Sequence, residues 1–160
     1  MLHFEAGWTD ITTSVDSQAN VICGNVTSLS PFVIVEATIE FLGFTPPLLS
    51  GGDASIKQSN TGRTIPVKFQ VSVLGQITGA PTATLAVYRV LNVATGSVDT
   101  TDLAGEDGTA DGNTDQFRYD STAQQYIYNL STKGWLAPAT YRIVVTLSDG
   151  SAHAVDFSLR

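Results

Sequence analysis

The stretch TIPVKFQVSV, residues 64–73, alternates apolar and polar side chains with a period of two. Five apolar side chains share one face: Ile65, Val67, Phe69, Val71 and Val73. Thr64, Lys68, Gln70 and Ser72 share the other face. Because successive side chains of a β-strand point to opposite faces, this pattern predicts a strand with one buried face and one solvated face.

Two stretches near the end of the chain repeat this alternation. Residues 141–147 place Tyr141, Ile143, Val145 and Leu147 on one face, and the last stretch does the same with His153, Val155, Phe157 and Leu159. The dipeptide Asp149-Gly150 lies between them, and Asp-Gly between alternating stretches indicates a β-hairpin. We therefore predict a core that contains Ile65, Val67, Phe69, Val71, Ile143, Val145, Val155 and Phe157.

Four further candidate strands, separated by Gly and Pro, complete the second part of the chain. They cover residues 38–44, 82–91, 116–119 and 124–130. Helical periodicity is nearly absent, so the predicted class is all-β. About seven short strands in roughly 120 residues are typical of an immunoglobulin-like antiparallel β-sandwich. In such a fold Tyr141 stands at the tyrosine corner, and Ile143 stands where an antibody domain has its second cysteine.

The first 38 residues are expected to form an extra N-terminal β segment. Residues 4–11 and 21–27 are predicted strands joined by a polar turn at residues 16–20, and a third strand covers residues 32–35. Three such strands cannot close a core alone, so they are either the end of a preceding domain or strands docked on the sandwich. Their apolar content, together with unpaired edges, favours self-association. Cys23 is expected to be a small buried hydrophobic residue.

The composition of the 160 residues limits the classes of function. Charged residues make up only 14%, and the formal net charge of −7 makes nucleic acid and anionic membranes poor partners. No apolar run approaches the ~18 residues that a membrane-spanning helix requires, so we expect no membrane insertion. A single cysteine excludes an internal disulfide. The start of the chain has no features of a signal peptide, and we expect the chain to be a piece of a longer protein.

Three ordered motifs resemble a known family. RTIPVKF at residues 63–69 resembles the signature of the bacterial PxKF domain, often seen as "G-S-T-V-P-V-K-F". FRYDSTAQQYIYN at residues 117–129 is similar to the family's "Y-D-x-x-x-x-Q-Y-x-Y" part, and residues 141–157 are similar to its closing hairpin. Residues 8–34 resemble the end of the β domain that often precedes it.

The resemblance covers about residues 39–160, and it implies an immunoglobulin-like module without catalytic residues. The family is found near the C-termini of long secreted or cell-surface bacterial proteins. The resemblance therefore implies an extracellular or cell-surface location, with neighbouring domains of the parent chain as partners. The residues support the same expectation, because no Ser/His/Asp set, Gly-rich phosphate loop or cysteine pair stands in a context that suggests catalysis.

An acidic loop is the candidate metal site. Seven of the fifteen acidic residues fall between Asp99 and Asp120, and Arg118 is the one basic residue there. The sequence Asp111-Gly112-Asn113-Thr114-Asp115 has the alternating oxygen-ligand spacing of a calcium loop, but Gln116 and Thr122 stand where such a loop needs Gly and Glu. The calcium candidates are Asp107, Asp111, Asn113 and Asp115. The alternative is a solvated surface loop, which we favour, with no cofactor bound.

Aromatic residues give the only indication of an organic ligand. Tyr119, Tyr126, Tyr128 and Trp135 fall within 17 residues, and exposed aromatic faces stack on sugars in many β-sandwiches. Tyr126, Tyr128 and Leu130 also alternate like a core stripe, which favours packing.

For the whole chain, the preferred hypothesis is a non-catalytic structural or interaction module that self-associates through edge strands. The alternative is a carbohydrate-binding module with a glycan partner, with or without a requirement for calcium, attached to an enzyme.

Overall fold

A computed structural model of the chain describes residues 1–16, 18–34, 38–48, 64–103 and 115–159. All regular structure in these residues is β-strand, and no helix that could span a membrane occurs among them. The chain divides into two compact units, Met1–Thr38 and Ile39–Arg160.

The first unit contains five short strands in two small antiparallel sheets. They are β1 (Leu2–Phe4), β2 (Trp8–Asp10), β3 (Thr12–Asp16), β4 (Val21–Gly24) and β5 (Phe32–Val33). One sheet has the order β2-β1-β5, and the other pairs β3 with β4. The predicted polar turn joins β3 to β4, where the Asp16 carboxylate accepts hydrogen bonds from the backbone N–H groups of Gln18 and Ala19.

Two strand assignments in this unit were wrong. Residues 4–11 form no single strand, because the chain turns back at Gly7 and pairs Phe4 with Trp8 in a tight hairpin. Residues 12–16 form β3, although the sequence TTSVD has little apolar alternation. Strand β4 also ends at Gly24, earlier than predicted. Short polar strands that pair locally leave little periodicity in the sequence, which explains both errors.

The second unit is a sandwich of two antiparallel sheets. Its strands are β6 (Ile39–Thr45), β7 (Thr64–Val73), β8 (Gln76–Ile77), β9 (Ala83–Asn92), β10 (Ser97–Val98), β11 (Arg118–Asp120), β12 (Gln125–Ser131), β13 (Ala139–Leu147) and β14 (Ala152–Leu159). One sheet has the order β11-β12-β7-β6, with β8 paired to β7, and the other has the order β10-β9-β13-β14.

This topology is that of an immunoglobulin-like sandwich. When β8 and β10 are set aside, the seven remaining strands correspond in chain order to strands A to G, which gives one sheet with the order D-E-B-A and a second with C-F-G. Strand β10 extends the second sheet beyond β9, in the position that variable-type domains fill with an additional strand. The predicted all-β sandwich is therefore confirmed.

The core between the sheets matches the predicted alternation. All eight predicted core residues are buried, and they belong to one continuous cluster with Leu85, Val87, Tyr126, Tyr128, Leu130 and Tyr141. Phe69 lies at the centre of its aromatic part, stacked on Tyr126 with ring centroids 4.8 Å apart. Phe117 meets the Phe69 ring edge-on, with ring centroids 4.9 Å apart. These apolar contacts occupy the interior that a disulfide crosses in antibody domains.

The corner before β13 has the geometry predicted for Tyr141. Its hydroxyl donates a hydrogen bond of 2.8 Å to the backbone carbonyl of Leu136, five residues upstream. This bond joins the loop to the strand, as a tyrosine corner does. Ile143 is fully buried two residues later. At the other end of β13, Gly150 has a φ of 83° in the predicted hairpin turn, a conformation that glycine adopts without strain.

Candidate functional site

The four aromatic residues of the predicted cluster separate into packing residues and one surface residue. Tyr126 and Tyr128 are buried in the core, so for them the packing interpretation is confirmed. Tyr119 is half-buried against Tyr126 and lies so close to Gly79 that a Cβ at that position would overlap its ring. Trp135 instead lines a surface cleft.

Tyr126 shows how firmly the aromatic core is closed. Its hydroxyl donates a hydrogen bond to the Pro81 carbonyl, and burial raises its pKa to about 12. The unfolded chain releases this proton near pH 10, whereas the folded chain retains it. The contribution of Tyr126 to stability is therefore present below pH 10 and is lost as the pH rises towards 12.

Tyr126→Phe should consequently change the alkaline limb of the stability profile. At neutral pH we expect a loss of about 1 kcal/mol from the missing hydrogen bond to Pro81. Between pH 10 and about 12, the free energy of unfolding should fall less steeply in the variant than in the parent protein. Urea unfolding followed from neutral pH to about pH 12 measures both effects. Equal slopes for the two proteins would show that the phenol is not protected in the folded state.

The cleft beside Trp135 lies in the sandwich unit and has a volume of about 310 Å³. We call it the Trp135 cleft and define it by its lining residues, which are Arg89, Asp99, Thr101, Leu103, Gly134, Trp135, Leu136 and Tyr141. Arg89 lies on β9 directly opposite Tyr141 on β13. The other walls are the segment after β10 and the turn between β12 and β13.

Backbone hydrogen bonds hold the segment after β10 against β9. The N–H of Asp99 donates to the Arg89 carbonyl at 2.8 Å, and the N–H of Leu103 donates to the Val87 carbonyl at 2.8 Å. Between these points, a carboxylate oxygen of Asp102 accepts the N–H of Val87 at 2.8 Å. The wall that carries Asp99 and Thr101 is therefore fixed by the sheet, and the cleft is preformed.

The opposite wall is fixed by contacts between aromatic rings. Trp135 lies 4.7 Å from Tyr141 and 6.3 Å from Phe157, measured between ring centroids. Gly134, which precedes it, has a φ of 81°, a conformation that most residues with a side chain adopt only with strain. The backbone N–H of Trp135 donates to the Thr132 carbonyl at 3.3 Å and completes the turn.

The described lining residues of the cleft include one cation and one anion. The guanidinium of Arg89 and the carboxylate of Asp99 approach to 3.9 Å, and both side chains remain about one third exposed. A carboxylate oxygen of Asp99 also accepts the N–H of Thr101 at 3.2 Å, which fixes its position. Both groups retain hydrogen-bonding capacity toward the cleft, because a guanidinium has five N–H donors and a carboxylate has about four acceptor sites.

The predicted calcium site is mostly beyond the described residues. Asp107, Asp111 and Asn113 lie outside them, so their part of the hypothesis stays a prediction. Asp115 is described and exposed, and its backbone carbonyl accepts the N–H of Leu85 at 2.7 Å. Within the ranges that the structure covers, no three His, Cys, Asp or Glu residues are placed to hold a metal ion.

The first unit contains a polar cluster that the sequence did not indicate. The buried His3 imidazole lies 2.6 Å from the Ser30 hydroxyl through Nε2 and 3.9 Å from the Glu5 carboxylate through Nδ1. A Ser–His–acid triad needs a hydrogen bond between the acid and Nδ1, and 3.9 Å is too long for one. The Glu5 carboxylate instead accepts a hydrogen bond from Ser28 at 2.7 Å. The arrangement therefore satisfies a buried histidine without activating the serine.

Two single residues complete the comparison with the sequence predictions. His153 is half-buried and stacks on Phe41, with centroids 4.0 Å apart and planes 6° from parallel, which agrees with its expected packing role. Cys23 was expected to be buried, but it is exposed. It lies on the same face of β4 as the exposed Val21, because residues two apart in a strand share a face.

Comparisons with known proteins give limited similarity. No family model and no curated protein matches the chain. The PxKF resemblance therefore stays a prediction. Among solved structures, the chain is similar to an immunoglobulin domain described as the crystal structure of the RIG-5 IG1 homodimer. That match covers 74% of this chain and 96% of the other, with 7% sequence identity and a TM-score of 0.32.

The strand order of residues 39–160 defines the class of this unit. It is an immunoglobulin-like module, and this all-β fold is typically non-catalytic. Function within such a fold depends on surfaces and clefts that differ from one member to another. Here the two surfaces to consider are the strands of the first unit and the Trp135 cleft.

Proposed function

We propose that this chain is a non-catalytic interaction module of a larger extracellular or cell-surface bacterial protein, and that residues 1–38 pair with a second copy. The observation that carries the proposal is the apolar surface of the first unit. The PxKF resemblance and the low content of charged residues support the extracellular location.

The apolar surface is concentrated at the start of the chain. Among the described residues, nine large hydrophobic side chains of this unit are exposed: Phe4, Trp8, Val15, Val21, Val26, Leu29, Phe32, Val33 and Ile34. Leu29 is 97% exposed, Ile34 70% and Val15 67%. Exposed apolar residues at this density favour burial against another protein surface.

The strands of this unit also provide edges for pairing. Strand β4 pairs with β3, and no other strand in the described part of the chain pairs with it. Its sequence, VICG, contains none of the lysine, proline or charged residues that protect natural edge strands. Addition of a strand from a second copy would satisfy the free backbone groups and cover Val21 and Cys23.

Charge makes this pairing dependent on salt. Residues 1–38 contain four acidic residues, Glu5, Asp10, Asp16 and Glu36, and no lysine or arginine. Two copies that meet through this unit therefore repel each other at long range. Because the Debye length falls from roughly 30 Å at 0.01 M salt to about 8 Å at 0.15 M, added salt should strengthen the association.

A charge on the β4 edge should break the pairing. Cys23→Asp places a carboxylate at an exposed edge position and should weaken association by about tenfold or more, since it adds a like charge to both copies. Cys23→Ser is the matched control at the same position and should associate like the parent protein. Sedimentation equilibrium under reducing conditions measures the effect, because a reductant prevents a disulfide between exposed cysteines.

A second control tests whether position matters. Ala154→Asp adds the same charge at an exposed position of β14, an edge strand of the sandwich, and should leave association unchanged. Equal association of the Cys23→Asp and Cys23→Ser proteins would contradict pairing through β4. Equal weakening by Ala154→Asp would indicate general repulsion instead of a defined edge contact.

A further inference from the structure

We infer that the Trp135 cleft binds a neutral sugar of one or two pyranose rings. The site lies entirely within Ile39–Arg160, and it is independent of the pairing proposed for residues 1–38. Three properties of the cleft lead to this ligand class: a fixed aromatic wall, one charged donor group beside one charged acceptor group, and no net formal charge on its described lining residues.

The aromatic wall is suited to the apolar face of a sugar ring. Trp135 is half-buried and packs against Tyr141 and Phe157, so its orientation is set before a ligand arrives. A fixed ring loses little conformational freedom on binding. The face of an aromatic ring is electron-rich, and it attracts the positively polarised C–H groups that a pyranose presents on one side.

The polar wall is suited to hydroxyl groups. Arg89 can only donate hydrogen bonds, and the ionised Asp99 can only accept them. A sugar hydroxyl both donates and accepts, so two neighbouring hydroxyls can satisfy both side chains at once. The separation of 3.9 Å between the guanidinium and the carboxylate leaves their direct contact weak, and Thr101 adds a hydroxyl beside them.

The balance of charge selects a neutral ligand. Among the residues that the structure describes, Arg89 and Asp99 are the two charged residues that line the cleft, and their formal charges cancel. A phosphate or a carboxylate would meet Asp99, whereas an amine would meet Arg89. A neutral polyhydroxyl compound avoids both repulsions and uses both groups. The volume of about 310 Å³ lies at the lower end of ligand pockets, which limits the ligand to one or two rings.

Fluorescence of Trp135 provides a direct test. The chain contains two tryptophans, so Trp8→Phe leaves Trp135 as the only one and should not affect the cleft. The probes are the methyl glycosides of glucose, mannose, galactose and N-acetylglucosamine, together with their disaccharides. At least one should change the emission of Trp135 with a dissociation constant of about 1 mM or tighter.

Two variants assign the binding to the cleft when their sugar binding is measured by saturation-transfer NMR. Trp135→Ala should abolish the signal of the sugar that binds the parent chain. Asp99→Asn should weaken binding by about tenfold, since it loses the charged acceptor, while the melting temperature changes little. Asp120→Asn is the matched control, because Asp120 also holds a turn through backbone N–H groups but lies outside the cleft lining.

Three results would overturn the assignment. They are the absence of binding by every neutral sugar, undiminished binding in the Asp99→Asn protein, and binding confined to anionic sugars such as glucuronic acid. None of them bears on the self-association of residues 1–38. Failure of that pairing, likewise, leaves the sugar site intact, because the two experiments measure different units of the chain.

Discussion

Replacing Phe69 with alanine is expected to lower the free energy of unfolding by about 3–5 kcal/mol. Phe69 is fully buried at the centre of β7. Its ring stacks on Tyr126, meets Phe117 edge-on and lies 5.2 Å from Phe41. Truncation therefore removes a large apolar side chain from contact with these three rings and leaves a cavity among rings that cannot easily collapse into it.

Urea unfolding measures this loss, and an exposed truncation provides the control. Leu91→Ala removes an apolar side chain near the end of β9 that is 58% exposed, and it should change stability by no more than about 0.5 kcal/mol. A loss near zero for Phe69→Ala would mean that the faces of β7 are reversed. A large loss for Leu91→Ala would mean that its surface is covered in solution.

The second large effect is expected at the tyrosine corner. Tyr141→Ala removes a buried ring that packs on Trp135 and Phe157, and we expect a loss of about 3–5 kcal/mol. Tyr141→Phe removes only the hydrogen bond from the hydroxyl to the Leu136 carbonyl. We expect that variant to lose about 1 kcal/mol, so most of the effect belongs to packing.

The same unfolding experiment with Tyr88→Phe separates the corner from a general effect of hydroxyl removal. Tyr88 lies on β9 opposite Arg142 and is only half-buried, so its variant should remain within about 0.5 kcal/mol of the parent protein. If Tyr141→Phe costs no more than Tyr88→Phe, the corner hydrogen bond contributes nothing to stability. Equal losses for Tyr141→Phe and Tyr141→Ala would remove the packing explanation.

The sandwich could be predicted from the sequence because its strands are long and buried on one face. Apolar side chains recur at every second position of residues 64–73 and 141–147, and a period of two fixes which side chains enter the core. The hairpin at Asp149-Gly150 adds a local turn signal. The first unit lacks such periods, since β1 and β2 have three residues each and expose apolar residues such as Trp8. The sequence therefore predicted the bounds of its strands only in part.

The Trp135 cleft could be predicted only in part. Trp135 was among the four aromatic candidates, but nothing in local sequence brings it to Arg89, which is 46 positions away. One signal was present: Arg89 follows Ala83, Leu85 and Val87 at alternate positions of β9, where an apolar residue is expected. A cation at the end of an inward-facing series is a reason to look for a polar site.

The molar mass of the whole chain, compared with that of residues 39–160, tests the central proposal most directly. Light scattering under reducing conditions should give the whole chain a mass above its 16.9 kDa that rises with concentration and with salt. Residues 39–160 hold the complete sandwich core, and they should melt as a β protein and keep the mass of a single copy. A whole chain that stays at 16.9 kDa, or a shortened chain that associates equally well, would contradict the account.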